Sequence, residues 1–454
     1  MYRNILTLSS IGTAFAASAA VEKPNIIFIM ADDLGYGELG CYGQKMIKTP
    51  CLDNMAKHGL RLTNYYCGTS VCAPSRCALM TGLHLGHCPI RGNTKIKWGQ
   101  KPLPKSYKTV ADYFKKAGYA TAAIGKWGLG NRDNEGAPRK HGFDSFAGYY
   151  CQYAAQHYYP GDIWLDGKPH KLGEPGTMAG YSHYFFTREA VDFISEHKKG
   201  PFFLYLAYTI PHAPLVIPKD EPCYKMYDGQ HWPEKMKIHA GMISLLDKDV
   251  GKILDLLKKL GISKRTLVLF TSDNGAHKEG GAEPAFFKSC GPLRGIKRDM
   301  YEGGVRVPFI AYWPGVVKPG VSDVVLTHWD FLPTACELSG LKPPKGIDGV
   351  SYVSLLKGVN VKRTYHDCVY FELHRPDRRG LRKGDWVIVQ QKVAGNEADS
   401  GVFELFNLKK DLGERKNLAS KYPEKLQEMK TLLVKSHSTN KAFKFQWERG
   451  GRRK

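Results

Sequence analysis

Four short apolar runs each end on residues that bind ions or move protons, and this repeated hand-over constrains the fold more than any other feature of the chain. Residues 25–30 (NIIFIM) run into Asp32 and Asp33, and residues 120–124 lead through Gly125 to Lys126. Residues 201–208 lead to His212, and residues 265–271 to Ser272, Asp273 and Asn274. Each run is short and rich in β-branched or aromatic residues, the pattern of a strand buried on both faces. Helical spacing fills the intervals. Val110–Lys116 has Thr109 as N-cap and Gly118 as its stop, and residues 189–198 are helical. Residues 242–260 place Leu245, Leu246, Val250, Ile253, Leu256 and Leu257 on one face, closed by Gly261. The alternation predicts an α/β fold with a mixed, largely parallel central sheet flanked by helices. Ligands of such sheets bind beyond the carboxyl ends of the strands. The four endings are therefore expected to converge on one composite site.

Asp32, Asp33, Asp273 and Asn274 offer oxygen donors only. Such a set suits a hard cation, one Ca2+ with Mg2+ as the alternative, and does not suit zinc. A single Asp pair in a Gly-rich turn is ordinary turn chemistry. Two pairs, each directly after a buried strand, read as a metal site.

A further segment, residues 70–76 (SVCAPSR), opens an apolar run ending at residues 80–82 (MTG). Pro74 fits a first helical turn. That puts Cys72 at a helix N-terminus, where free N–H groups and the dipole favour anions, with Arg76 one turn on. On the residues alone, Cys72 is either a reactive thiol beside an anion site or a buried structural cysteine. The chain holds eleven cysteines, none in a C-x-x-C pair.

The start of the chain bears on those cysteines. Met1-Tyr2-Arg3-Asn4, an apolar run over 5–17 and Ser18-Ala19-Ala20 have the order of a secretory signal peptide, expected over residues 1–19. Export would let some cysteines pair as disulfides, and the odd count leaves at least one unpaired or covalently altered. No later segment reaches the ~20 apolar residues of a membrane span, so a secreted or periplasmic protein without a span is expected. A formal net charge of +23 draws in polyanions without choosing between nucleic acid and sulfated polysaccharide.

The string Cys72-x-Pro74-Ser75-Arg76 resembles the signature of the type I sulfatases of the alkaline phosphatase superfamily. The resemblance continues in the family's order through PNIIFIMADDLGYGELGCYG, CAPSRCALMTG, GKWGLG, PHAP, FTSDNG, PLRGIKRDMYEGGVRVPFIAYWPG and ELFNLKKDLGERKNLA. It implies an alkaline-phosphatase-like fold and a Cys72 converted to Cα-formylglycine by a maturation enzyme. The aldehyde hydrate, bound to the metal with Asp32, Asp33, Asp273 and Asn274, would attack sulfur through one hydroxyl while the ester oxygen leaves. Its second hydroxyl would then collapse to the aldehyde and expel sulfate, and the metal would lower the pKa of the attacking group. Arg76 matches the residue that holds the hydrate. Lys126 and Lys297 match the family's two sulfate-binding lysines, and His212 the histidine at the leaving-group oxygen. One position departs. Many members have histidine in the fourth place of G-K-W-H-L-G, where it removes a proton from the hydrate, and this chain has Gly128. His157, within residues 152–160 (QYAAQHYYP), is the candidate substitute, with His277 and His84 behind it.

The catalytic unit is expected over residues 20–344, ending at the Pro-rich turn 340–345 (GLKPPK), with a small C-terminal α+β subdomain over 345–454. Residues 368–371 and 386–390 read as its strands. Pro423–Lys435 reads as its helix, with Leu426, Met429 and Leu433 as the apolar face. Arg375, with Arg378, Arg379 and Arg382, is either a substrate contact or solvated charge. Positive charge, export and the aromatics of 149–159 favour a sulfated carbohydrate over a small aryl sulfate, and no nucleic acid partner is expected. Two alternatives stand beside this reading. A phosphodiester or phosphonate monoester hydrolase could use the same nucleophile, and a non-catalytic polyanion binder would explain Gly128 but not the intact Cys72, Arg76, Lys126, His212 and Lys297.

Overall fold

Every residue of the Asn25–Ala31 strand is buried, because helices cover both faces of the sheet at whose centre it lies. The computed structural model describes residues 23–96, 99–359, 363–392 and 397–449, and the expected signal peptide at 1–19 lies outside them. Asn25–Ala31 pairs in parallel with Thr266–Ser272 on one side and Phe202–Ala207 on the other. Parallel pairing continues from Phe202–Ala207 to Ala120–Lys126 and on to Ser145–Tyr149. These strands are the middle of a ten-stranded sheet. Phe309–Tyr312 and Leu60–Leu62 extend it in antiparallel sense on one side, and Asp162–Leu165 with Lys168–Lys171 on the other. Gly320–Ser322 closes the first edge, parallel to Leu60–Leu62. The mixed, largely parallel sheet is the one the alternating pattern predicts.

Alternation along the central strand divides the core in two. Ile26, Phe28 and Met30 pack on one face with the helices Cys72–Thr81, Val110–Lys116 and Phe331–Leu338. Ile27, Ile29 and Ala31 pack on the other with Ser182–Glu196 and Glu234–Lys259. Both of these last helices begin earlier than their sequences suggest. Phe185 and Phe186 read locally as strand formers, but burying them on the sheet decides for helix. Gly241 weakens the helical signal ahead of Met242, while burial of Met236, His239 and Ala240 extends the helix back to Glu234.

The C-terminal region is an antiparallel sheet of four strands in the order Val369–Leu373, Arg378–Lys383, Trp386–Lys392, Val402–Asn407. One face, with Val369, Phe371, Val387, Val389 and Phe406, joins the core beneath the ten-stranded sheet. The other, with Tyr370, Leu381, Ile388 and Leu405, receives Met429 and Leu433 of Pro423–Lys435. The strand Arg378–Lys383 (RRGLRK) carries no apolar signal because its arginines are used internally. Arg379 donates to Gln390 Oε1 at 2.7 Å and lies over the Trp447 ring.

The expected disulfides are not formed: all eleven cysteines are free thiols. All are buried or half-buried, and most behave as small apolar groups. Cys67 is typical, directing its S–H at the carbonyls of Thr69 and Val305, 3.1 Å from each. No helix among the described residues is long and apolar enough to cross a membrane.

Candidate active site

The parallel register opposes Ala31 and Ser272, so the next residues of both strands, Asp32, Asp33, Asp273 and Asn274, meet beyond the sheet edge, all fully buried. Asp33 turns through a left-handed φ of 66°, and its N–H donates to Asp273 Oδ1 at 3.0 Å. Asn274 Nδ2 donates to Asp33 Oδ1 at 2.6 Å. The helix Cys72–Thr81 points its first turn at this cluster, with Cys72 Sγ 3.5 Å from Asp32 Oδ1 and 4.0 Å from Asp33 Oδ1.

Three cations surround the carboxylates. Arg76 places Nε and NH2 on Asp273 Oδ2 at 3.0 and 2.7 Å, and its NH1 donates to the Lys126 carbonyl at 2.8 Å. Lys126 Nζ reaches Asp32 Oδ2 at 2.6 Å. Lys297 Nζ reaches Asp33 Oδ2 at 2.7 Å, Glu279 Oε2 at 2.9 Å and His212 Nε2 at 3.1 Å. The fold thus brings Asp32, Asp33, Cys72, Arg76, Lys126, His212, Asp273, Asn274 and Lys297 to one place.

Crowding of like charge splits the behaviour of the acids. Burial, reinforced by Asp273 and Asp33 against the pull of Lys126, pushes Asp32 up to about 7. Burial opposes ionisation of Asp33 as well, but Lys297 holds it well below the usual range. At Asp273 burial is outweighed by Arg76 and Lys126. Burial, with Asp273 and Asp32 against Lys126, drives the Cys72 thiol well above its ordinary value. As a thiol, residue 72 is protonated at neutral pH and a poor nucleophile. Burial also brings His212 down to about 3. Its Nδ1–H donates to Ala213 O at 2.5 Å, leaving Nε2 as the acceptor that faces Lys297.

The donor set fits a cation. Asp32, Asp33, Cys72 and His212 offer ligand atoms within 4.8 Å of one another. Asn274 Oδ1, beside them, is buried with no partner. A buried unpartnered oxygen costs about 1–3 kcal/mol, and a hard cation meeting it would relieve both that cost and the burial and like-charge repulsion that raise Asp32.

The imidazoles weighed against Gly128 are placed differently. His277 spends both nitrogens: Nε2–H donates to Pro211 O and Nδ1 accepts from the Glu279 N–H, each at 3.1 Å. It fixes the loops of His212 and Glu279 and has no lone pair to act as a base. His84 accepts from the Gly86 N–H at 3.0 Å and turns its other nitrogen toward Asp348 at 3.5 Å, in a separate cluster. His157 is exposed, its ring edge-on to Tyr153 at 5.7 Å. Arg375 is exposed in the turn between Val369–Leu373 and Arg378–Lys383. That turn lies against the site's rim, where Arg378 donates to Arg298 O at 2.9 Å.

Two more side chains serve the site, Glu279, absent from the sequence reading, and Ser75, there only a letter of the signature. Glu279 pairs with Lys297 and, at 2.5 Å, with Arg298, and Lys297 holds it well below the usual carboxylate range against its burial. Its signal was a charged residue in the Gly-rich loop directly after Asn274. Ser75 Oγ donates to the Asp273 carbonyl at 2.5 Å and accepts from the Gly68 N–H at 2.9 Å, clamping the helix to the metal loop.

The profile of the family described as Sulfatase matches residues 24–341, and that of N-sulphoglucosamine sulphohydrolase, C-terminal, matches residues 296–439. An arylsulfatase of Hemicentrotus pulcherrimus is 35% identical over 351 residues, 72% of this chain and 60% of that one. The N-acetylgalactosamine-6-sulfatase of Rattus norvegicus is 35% identical over 394 residues, 78% of this chain and 70% of that one. Among solved structures, that of Ps i-CgsB in complex with k-i-k-neocarrahexaose superposes with TM-score 0.77 at 31% identity, covering 91% of this chain and 93% of its own.

Proposed function

The chain belongs to the sulfatase family of sulfuric ester hydrolases, and from that premise we propose that it removes sulfate from a sulfated carbohydrate, with a formylglycine at position 72 and one calcium ion. The observation that carries the reading is the place of Cys72, buried at the start of its helix and 3.5 Å from the Asp32 carboxylate, where burial holds its thiol in the protonated, unreactive form. Oxidising its CH2–SH to an aldehyde replaces an inert group with one whose hydrate can attack. Cys72 is 1% exposed in the fold, so a maturation enzyme would meet it before folding closes the site.

Calcium on Asp32, Asp33, Asp273 and Asn274 would lower the pKa of the attacking hydroxyl and polarise sulfate oxygens. Arg76 keeps Asp273 ionised and pins the Lys126 backbone. Lys126 and Lys297 lie on either side of the acids and supply fixed positive charge where negative charge gathers in the transition state. His212 Nε2, 3.1 Å from Lys297 Nζ, would contact the departing ester oxygen. The surplus of basic residues, Arg375 at the rim, and Tyr153 (57% exposed) beside His157 support an anionic sugar chain. The N-terminal segment supports export, giving a secreted or periplasmic enzyme.

The reading is tested by incubating matured protein with sulfated galactosamine and carrageenan oligosaccharides and, in parallel, a phosphonate monoester. Sulfate release at a kcat/KM at least about tenfold above phosphonate cleavage is expected. Faster phosphonate cleavage, or salt-sensitive binding of the sulfated chains without turnover, contradicts it.

A further inference from the structure

Gly128 has its backbone at φ +77°, and the space beside it is occupied. A Cβ built there would lie 1.8 Å from Gln152 Nε2 and 2.9 Å from its Cδ. Gln152 follows the Ser145–Tyr149 strand, in which Tyr149 stands opposite Lys126. Pairing runs on past both strand ends, the N–H of Trp127 donating to Tyr149 O and that of Gly128 to Tyr150 O, each at 3.0 Å. Gln152 therefore arrives at the same sheet edge as Lys126, the residue whose carbonyl is bound by Arg76. Its amide nitrogen donates to Gly128 O at 3.4 Å, which sets the direction of the amide. Oε1 is left buried with no partner. A buried acceptor left unspent beside the end of the Lys126 strand is open to a donor.

We infer that Gln152 occupies the place of the imidazole absent at Gly128 and that its Oε1 accepts a hydrogen bond from a hydroxyl carried at residue 72. The inference rests on the nucleophile proposed above. An amide oxygen accepts a hydrogen bond but does not take up a proton near neutral pH, so Gln152 orients the hydroxyl and moves no proton. A side chain at 128 would need the volume that Gln152 fills, besides straining a backbone at φ +77°.

The test compares wild type with Gln152→Ala, Gly128→His and the double variant Gly128→His/Gln152→Ala. For each, kcat and KM for sulfate release are followed against pH, with melting temperature and Ca2+ affinity measured alongside. Gln152→Ala is expected to lower kcat about ten- to a hundredfold, with KM and Ca2+ affinity within about twofold. Gly128→His alone is expected to be the poorest, because the two side chains collide. The double variant should recover above it and acquire a pH limb near the imidazole value of about 6.5. A wild-type kcat in Gln152→Ala, or the same penalty for Gly128→His with and without Gln152→Ala, overturns the inference. So does a loss of Ca2+ affinity or melting temperature large enough to account for the loss of kcat. Wild type that releases no sulfate overturns the nucleophile reading itself, and the inference with it.

Discussion

Two regions of this molecule bury charge, and they do so to different ends. At the joint with the C-terminal sheet, Arg91 is 2% exposed and Glu372 1%, and their polar atoms are spent on each other and on neighbours. Arg91 donates to Glu372 Oε1 at 3.0 Å and to the carbonyls of Cys88, Gly86 and Ser438. Glu372 also accepts from Tyr370 and His437, each at 2.7 Å, and burial is outweighed by His437 and Arg91 to hold its carboxyl below the usual range. At the strand ends the charges are as deeply buried but incompletely matched. Asp32 is pushed up, Asp33 sits in a left-handed conformation and Asn274 Oδ1 has no partner. Burial of charge does not by itself distinguish a reaction site from a brace. Between these two regions the difference lies in the polar atoms left over.

Breaking each region separately sharpens the contrast, and the largest effect belongs to the nucleophile. Cys72→Ala is expected to reduce sulfate release by at least ~10^4-fold while the melting temperature moves by no more than about 2 °C, as seen by calorimetry beside a sulfate assay. Arg91→Ala should do the reverse. It takes from buried Glu372 its guanidinium partner and leaves only Tyr370 and His437, so chemical denaturation should report a loss of about 3 kcal/mol, with kcat per folded molecule unchanged. Lys126→Ala and Lys297→Ala should each lower kcat about 10^2–10^3-fold, with losses of stability smaller than that of Arg91→Ala.

Cation removal comes next in size. At a Ca2+ concentration of about a hundredfold over Kd, the ion should add about 2.7 kcal/mol to stability, lost on chelation and restored by Ca2+ rather than Zn2+. The dependence on pH has a definite sign. Without a cation, Asp32 in the fold keeps its proton up to about 7, whereas an unfolded aspartate loses it near ~3.9. Cation-free stability therefore falls as pH rises through that window. Because binding must expel the proton, Ca2+ affinity should climb with pH to about 7 and then level, which titration calorimetry in two buffers can follow. Glu372 runs oppositely. Its folded carboxyl is depressed, so the stability it contributes is present above the unfolded value of ~4.3 and lost as pH falls through the lower folded one.

The site was legible where chemistry and position coincide. Asp32-Asp33 and Asp273-Asn274 stand directly after apolar runs, and a parallel register forces such neighbours together. The helix Val110–Lys116 was legible from Thr109 and Gly118, which punctuate it locally. What stayed hidden depends on contacts between distant segments. His277 looks like a free imidazole until Pro211 and the Glu279 N–H take both nitrogens. The strand Arg378–Lys383 looks like solvated charge until Gln390 and Trp447 receive Arg379. Gln152 carries no signal in one dimension, because only the fold brings it against Gly128.

The central claim is that residue 72 acts as an aldehyde and not as a thiol. Its most direct test is the mass of the peptide carrying residues 72–76, taken from protein made in its native host or beside a formylglycine-generating enzyme. The account predicts a peptide in which the sulfur of Cys72 has been replaced by an aldehyde oxygen, in proportion to specific activity. A fully active enzyme whose peptide retains an intact thiol at position 72 would contradict it.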